Sequence, residues 1–466
     1  MAGTPARTGE PKSPDAPRTA TEDLSLPQRI RLVLAASSGN LVEWFDFYVY
    51  ATFSVYFASE FFPTGSQTAQ FMKTAAVYLV GFLARPVGGY FFGRLGDRVG
   101  RKKAMVTSVM MMAGGSLAFA ALPTHTGGYS AGALAPTLML IVRVVQGFSV
   151  GGEYGTTATY MTEIAPKNRR GLFSSFQYVT LIGGQLLAGL VAVILQLFLS
   201  KQQLTEWGWR IPFLIGAVAA LVALVLRRTL TETLTDEDRR KGVSGTFRGV
   251  LKYPRSFWVV LGLTCAGSLV FYAFTTYMTK YLVNTNTFSK TTATRVTTIS
   301  LAVFMCAQPL FGMLSDRIGR RTSMLVFNAL MAVITVPALL VLGSTRSAVL
   351  ACVTLIAVQL VMSLYTSVAG VVKAEIFPPA VRAMGVGFTY AIGNSLFGGS
   401  AEYVALWMKD NNLEWLFGWY VVLLAVVGFV ASWFLWDNRR HNYLDLHETQ
   451  MDQTFAGRIR AGAPAR

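Results

Sequence analysis

Ionisable side chains stand in this chain where they should be rarest. Within stretches built mainly of Leu, Val, Ala, Phe and Gly, it places Asn40, Glu43 and Asp46 three residues apart and Arg85 directly before Pro86. Arg143, Gln146, Val150 and Glu153 follow at 3-4-3 spacing. At helical periodicity the first set lies along one side of its helix, and the second puts a cation, an amide and an acid in one stripe. A charge at bilayer depth costs roughly 2.5–3.5 kcal/mol on insertion scales, so such residues mark ion pathways and binding sites. Forked guanidinium donors suit a planar carboxylate, which assigns Arg85 and Arg143 to anion binding. A carboxyl group in apolar surroundings holds its proton, and a nearby guanidinium releases it. Glu43, Asp46 and Glu153 are therefore the candidates for proton coupling. The plain alternative for any single one of them is an ion pair that pins helices together.

Those residues need long apolar helices to hold them. Apolar residues make up 53% of the 466 positions and charged residues 14%, too greasy a balance for an average soluble domain. Twelve apolar runs recur, at roughly 30–58, 70–92, 104–124, 134–163, 171–199, 209–228, 256–284, 291–314, 322–343, 348–376, 381–408 and 414–436. Each is near or above the ~20 residues that a spanning helix needs. The expected fold is an all-α integral membrane protein.

Two repeats divide the runs six and six. GRLGDRVGRKKAM (Gly93–Met105) returns 219 residues later as GMLSDRIGRRTSM (Gly312–Met324), keeping glycine, Asp97/Asp316, Arg98/Arg317, Gly100/Gly319 and Arg101/Arg320 in register. TEIAPKNRRG, after the fourth run, matches AEIFPPAVRAMG, after the tenth, with Glu163 and Glu375 each three residues before a proline. An internal duplication of helical bundles is the layout of a secondary transporter whose halves rock about a central site. The expected domains are a disordered tail over 1–28, a bundle over 29–228, a solvated linker over 229–255, a second bundle over 256–437 and a tail over 438–466. Both arginines should then face a shared watery chamber between the bundles.

A net charge of +17 would suggest nucleic acid in a soluble protein. Its distribution argues otherwise. With alternate loops assigned to two sides, the side holding both termini and the repeated turns carries 31 Lys and Arg, against 8 on the other. That bias places both termini in the cytoplasm and reports topology and anionic lipid. Residues 1–28 have no apolar core and read as a tail with no secretory signal. Cys265, Cys306 and Cys352 all fall in apolar runs without metal-ligand spacing. GGEYG and FGGSAE are helix-packing glycines, since no Gly-x-x-x-x-Gly-Lys-Ser/Thr follows a strand. No nucleophile–base pair, metal cluster or cofactor fingerprint is visible, so neither an enzyme nor a bound cofactor is expected. The partners expected are a small carboxylate, a proton and the bilayer, for a monomer.

The carboxy-terminal half offers Tyr272, Tyr277, Lys280, Tyr365, Asn394 and Glu402. Lys280 and Glu402 stand toward periplasmic ends, where snorkelling competes with substrate contact. Lys373 reads as a cytoplasmic-end residue. Gln146, Tyr154, Gln177, Gln185, Tyr272 and Tyr277 complete the candidate cavity lining.

These motifs resemble a known family. GRLGDRVGRKK is similar to the turn between helices two and three of the major facilitator superfamily, and RVVQGFSVGGE to its fourth-helix motif, which carries Arg143. SSGNLVEWFDFYVY, GGEYGTTATYMTEIAP, SFQYVTLIGGQLLA, WGWRIPF, FYAFTTYMTKYLVNT and FGGSAEYVAL are similar to the metabolite:proton symporter branch, and within it to the carriers of α-ketoglutarate. The resemblance covers about residues 30–436. It implies twelve transmembrane helices in two pseudo-symmetric bundles and proton-coupled uptake of a di- or tricarboxylate through a bacterial inner membrane. Citrate, shikimate, proline or betaine are the alternative substrates in that branch, and a channel or receptor is the alternative class. The resemblance also implies a cytoplasmic gate of Gly93, Asp97, Arg98, Gly100 and Arg101. In the second copy Thr322 and Ser323 replace Lys103 and Ala104, so Asp316 and Arg320 are expected to latch more weakly.

Overall fold

The computed structural model describes residues 26–99, 101–125, 129–151, 153–228, 250–286, 288–378 and 381–436. Most of both expected tails and linker positions 229–249 lie outside them, as does Gly100. The side chains of Asp97, Arg98, Arg101 and Glu153, and the surroundings of Gly93, are likewise outside the description.

Twelve spans follow among the described residues, in the expected order. They are α1 (Leu26–Phe61), α2 (Gln67–Leu83, continued by Arg85–Val99), α3 (Arg101–Ala120), α4 (Leu134–Val150, then Glu153–Glu163), α5 (Arg170–Phe198) and α6 (Ile211–Arg228). The second half holds α7 (Pro254–Phe274, then Met278–Asn284), α8 (Lys290–Ile318), α9 (Arg320–Ser344) and α10 (Ala348–Thr366, then Ala369–Glu375). It ends with α11 (Arg382–Gly393 and Ala401–Asp410, joined by a π-helical turn Asn394–Gly398) and α12 (Glu414–Trp433).

Local chemistry sets the ends. Ser66, Ser289 and Ser347 each accept a backbone N–H of the helix they precede, filling one of the donors a first turn leaves open. Pro254 opens α7, where its missing N–H costs nothing. Gly319 separates α8 from α9 at φ +93°, in the left-handed region that a side chain disfavours. That is why the repeated turn carries a glycine at this register.

Among the described residues, seven helices are long and apolar enough to cross a membrane, and Val106–Ala120, Leu134–Val150 and Gly208–Val222 are shorter apolar stretches. Leu and Val side chains such as Val333, Leu340 and Val349 stay open on the outer face, which hydrocarbon can cover. Within the first half α1 packs on α5 and α3 on α6; within the second, α9 and α7 pack on α12 and α8 on α10. Between the halves, α5 lies along α8 and α2 along α11. The second piece of α4 meets the first piece of α11 and the second piece of α10. The breaks in α2, α4, α7, α10 and α11 fall among these facing helices. Irregular backbone at membrane depth is tolerated where it is buried in protein or lines a cavity.

Candidate functional site

Arg85 sits at the restart of α2, and its guanidinium carbon lies 4.0 Å from the ring centres of both Phe47 and Phe82. Trp44 is the third aromatic, at 5.5 Å. The residue is 4% exposed, and Nε and Nη2 find no hydrogen-bond partner in the protein. Tyr272 of α7 neighbours Arg85, Tyr48 and Asn394, its ring 5.3 Å from Phe82 and 6.4 Å from Tyr48. The hydroxyls of Tyr48 and Tyr272 and the Nδ2 of Asn394 likewise make no well-formed hydrogen bond, and Tyr272 faces Tyr48, Asn394 and Arg85. A guanidinium, two phenols and an amide thus converge from α1, α2, α7 and α11 without well-formed hydrogen bonds to the protein. Buried polar groups are nearly always satisfied in folded proteins, so such a concentration points to a ligand rich in acceptors.

Arg143 also neighbours Phe47, 5.3 Å from that ring and 4.3 Å from Tyr50. Its setting is different. Nη1 donates to Gln146 Oε1 at 3.0 Å, and Gln146 Nε2 donates to Ser116 Oγ at 3.0 Å and to Asp46 Oδ2 at 3.4 Å. Ser116 also donates to Asp46. This chain of contacts joins α1, α3 and α4 inside the first bundle. Arg143 is 1% exposed, and its Nε makes no hydrogen bond to the protein.

The expected single stripe on α1 divides. Asn40 Nδ2 donates to Thr180 on α5 at 2.6 Å, while Asp46 faces α3 and α4. Six residues at 100° each leave those two directions about 120° apart, so spacing by three fans around the helix. Glu43 lies between them, 5% exposed. On α4, Arg143 and Gln146 do share a face, but the helix breaks between Val150 and Glu153.

Among the other candidates, Gln185 Nε2 donates to Thr276 Oγ1 across the halves at 3.3 Å. Gln177 donates to the Tyr154 carbonyl at 3.4 Å, and Tyr154 stacks on Tyr390 of α11 at 3.3 Å. Tyr277 turns away from the interface into the second bundle, against Tyr281 and Phe417. A cleft of about 340 Å³, part of it open to solvent, lies between the halves and is lined by Gln185, Thr275, Thr276, Thr279, Thr297 and Thr298. Neither arginine lines it; both are closed over by aromatic rings, in place of the open chamber expected around them.

Two family profiles match, "Sugar (and other) transporter" over residues 32–241 and "Major Facilitator Superfamily" over 280–461. The alpha-ketoglutarate permease of Escherichia coli (strain K12) is 54% identical over 422 residues, covering 90% of this chain and 97% of that protein. The chain belongs to the major facilitator superfamily. The proline/betaine transporter of the same E. coli strain is 30% identical over 418 residues, covering 86% of this chain and 82% of that protein. Among solved structures, a partially occluded inward-open form of the xylose transporter XylE from E. coli superposes with a TM-score of 0.67 at 19% identity, covering 87% and 97% of the two chains.

As in other members of the major facilitator superfamily, the protein is a multi-pass membrane transporter of two six-helix bundles, and it is not an enzyme. Its halves touch at both ends. At the end bearing the repeated turns, Asp316 accepts from the backbone N–H groups of Gly171 and Leu172, at 2.8 and 3.1 Å, capping the start of α5. Arg320 holds that carboxylate at 2.7 Å. Glu163 of α4 and Arg382 of α11, both from the second repeat, pair across the halves at 2.9 Å. At the opposite end Asn284 Nδ2 donates to Thr68 Oγ1 at 3.1 Å. The second copy of the turn, expected to be the weaker latch, therefore makes a direct contact between the halves.

Lys280 and Glu402 do not snorkel; they form an ion pair between α7 and α11 with side chains 1% and 4% exposed. Lys373 stands in the last turn of Ala369–Glu375, but it is buried, 1% exposed, with Nζ 3.2 Å from the Tyr154 hydroxyl. Lys280 and Glu402 sit in two spans that face one another, a signal that pairing spans seven and eleven would have raised. Lys373 follows an apolar run and precedes a proline-ended helix, and nothing local distinguishes it from an interfacial lysine.

Proposed function

We propose that the protein takes up a small di- or tricarboxylate together with protons, with α-ketoglutarate the foremost substrate, by alternating access. The observation that carries this reading is Arg85, a buried guanidinium at the meeting of the bundles whose Nε and Nη2 make no well-formed hydrogen bond to the protein. The name of the relative that is 54% identical supplies the substrate. In this reading Arg85 binds one carboxylate of the substrate, and Tyr48, Tyr272 and Asn394 donate to its remaining oxygens. Arg143 acts beside them, positioned by Gln146. Asp46 is the first-choice proton carrier, because its contacts with Ser116 and Gln146 lead to Arg143; Glu43 and Glu153 share the coupling. Binding that recruits a guanidinium away from this network favours a protonated Asp46, which is a physical route to symport.

Alternating access follows from rocking of the halves. Asp316, Arg320, Glu163 and Arg382 close the cytoplasmic side, together with Asp97 and Arg101 of the first turn. The location is a bacterial inner membrane, with both termini cytoplasmic and a monomer as the working unit. No cofactor enters; the proton gradient supplies the energy. The test is uptake of radiolabelled α-ketoglutarate into proteoliposomes under an imposed inward proton gradient. Accumulation that collapses with an uncoupler supports symport, and transport unchanged by the uncoupler rules it out. Competition by citrate, succinate, shikimate and proline fixes the substrate. A zwitterion such as betaine needs only one anionic contact, so effective competition by proline alone would favour the osmolyte branch.

A further inference from the structure

The second bundle contributes a cation whose place the arginines do not explain. Lys373, on the second piece of α10, is buried between Tyr154, Tyr365 and Tyr390, whose ring centres lie 5.0, 5.8 and 4.7 Å from Nζ. Tyr154 belongs to the first bundle and the other two to the second. The hydrogen bond to the Tyr154 hydroxyl is with a neutral group, and Lys373 makes no ion pair among the described residues. An ammonium group taken out of water is costly without an anion. Tyrosine faces return part of that cost through cation–π attraction. The contrast with Lys280 is direct, because that equally buried lysine holds Glu402.

Lys373 and Arg85 are linked through shared neighbours. Gly151 of α4 packs so tightly on the Arg85 carbonyl that a Cβ there would overlap it. Tyr154, the hydrogen-bond partner of Lys373, is three residues further along the chain, on the second piece of α4. Tyr390, stacked on Tyr154, has Tyr272 and Arg85 as electrostatic neighbours. Tyr154, Tyr272 and Tyr390 thus stand between a cation from each bundle, and neither cation has an ion pair among the described residues.

We infer that Arg85 and Lys373 form a two-cation clamp, one cation from each bundle, for the two carboxylates of one short-chain dicarboxylate. This rests on the transport reading above and adds the residue that reads the second carboxylate. A dianion is then the ligand that joins the halves, while a monoanion engages one bundle only and leaves the other cation unpaired. Selectivity for diacids follows from the penalty of leaving a buried charge without its partner.

The test is displacement of radiolabelled α-ketoglutarate from the purified full-length protein in detergent. The competitors are unlabelled α-ketoglutarate and 2-oxopentanoate, which carries a methyl group where the distal carboxylate stands. Wild-type protein is expected to prefer the diacid by about 10- to 100-fold, the range for a hydrogen bond to a charged group. Lys373→Met is expected to bring the two competitors within about threefold of each other by weakening α-ketoglutarate alone, and Lys373→Arg to restore most of the preference. Preference retained in a folded Lys373→Met protein overturns the clamp. So does wild-type protein that binds both acids equally, an arm that needs no variant to fold. Wild-type protein that binds neither acid would instead refute the carboxylate-transport reading beneath it.

Discussion

Two of the buried carboxylates, Glu402 and Asp46, sit in settings of different energetics. Lys280 and Glu402 are paired and shielded from water. Removing one partner leaves an uncompensated charge in low dielectric, which costs about 3–5 kcal/mol. Lys280→Met alone is therefore expected to lower the melting temperature in detergent sharply, and the Lys280→Met/Glu402→Leu double variant to recover most of the loss. A single variant as stable as wild type would show that the pair contributes nothing. Asp46, by contrast, is held by Ser116 and Gln146, which are neutral. Asp46→Asn keeps a similar shape and removes the titrating group. It should abolish proton-driven accumulation while preserving exchange of labelled for unlabelled substrate across proteoliposomes. Accumulation at the wild-type level in Asp46→Asn would move the coupling role to Glu43 or Glu153.

The helices around the site derive their motion from small-residue contacts and from paired ends. Gly155 of α4 and Gly387 of α11 meet across the halves, and a Cβ on Gly155 would stand 2.6 Å from the Gly387 Cα. No side-chain rotation relieves a clash with backbone, so Gly155→Val should prevent closure at this end. The expected result is a variant trapped open toward the repeated turns, with faster labelling of a cysteine placed at Ser174 and uptake reduced at least tenfold. Unchanged labelling and uptake would show that the two helices separate there at no cost. The pair Glu163–Arg382 acts at the same end, but Glu163 is 47% exposed at its side chain. Exposed pairs contribute roughly 0–1 kcal/mol. The backbone contacts made by Asp316 are accordingly the stronger latch: two N–H groups at a helix start, oriented by Arg320.

For the whole molecule, hydrophobic run lengths and the two repeats were enough to read twelve spans and two halves, because a bilayer fixes the length of a spanning helix. The paired depth of Arg143 and Gln146 was also legible, since a three-residue spacing on a helix brings side chains together. Three-dimensional pairing was not. Whether Lys373 faces lipid headgroups or a tyrosine cage depends on how α10 packs against α4 and α11, and nothing within five residues of it records that packing. The same holds for Asp46: its direction depends on which neighbour lies at each angle around α1. The breaks in α4, α7 and α10 were not read, although Gly151, Thr275 and Thr276 are weak helix formers, because small and hydroxyl-bearing residues inside apolar runs also serve unbroken, closely packed membrane helices. The orientation is testable independently. Cysteines at the two ends, in a Cys-free background, should be labelled by an impermeant reagent in whole cells at Ser200 and not at position 460; the reverse pattern would invert the topology.

Arg85 as the carboxylate anchor is the claim on which the functional account turns, and equilibrium binding of radiolabelled α-ketoglutarate to purified protein reads it without any gradient. Wild-type protein should bind saturably, and Arg85→Lys, which keeps the charge but loses the planar fork, should bind at least about tenfold more weakly. A folded Arg85→Lys protein with wild-type affinity would contradict it.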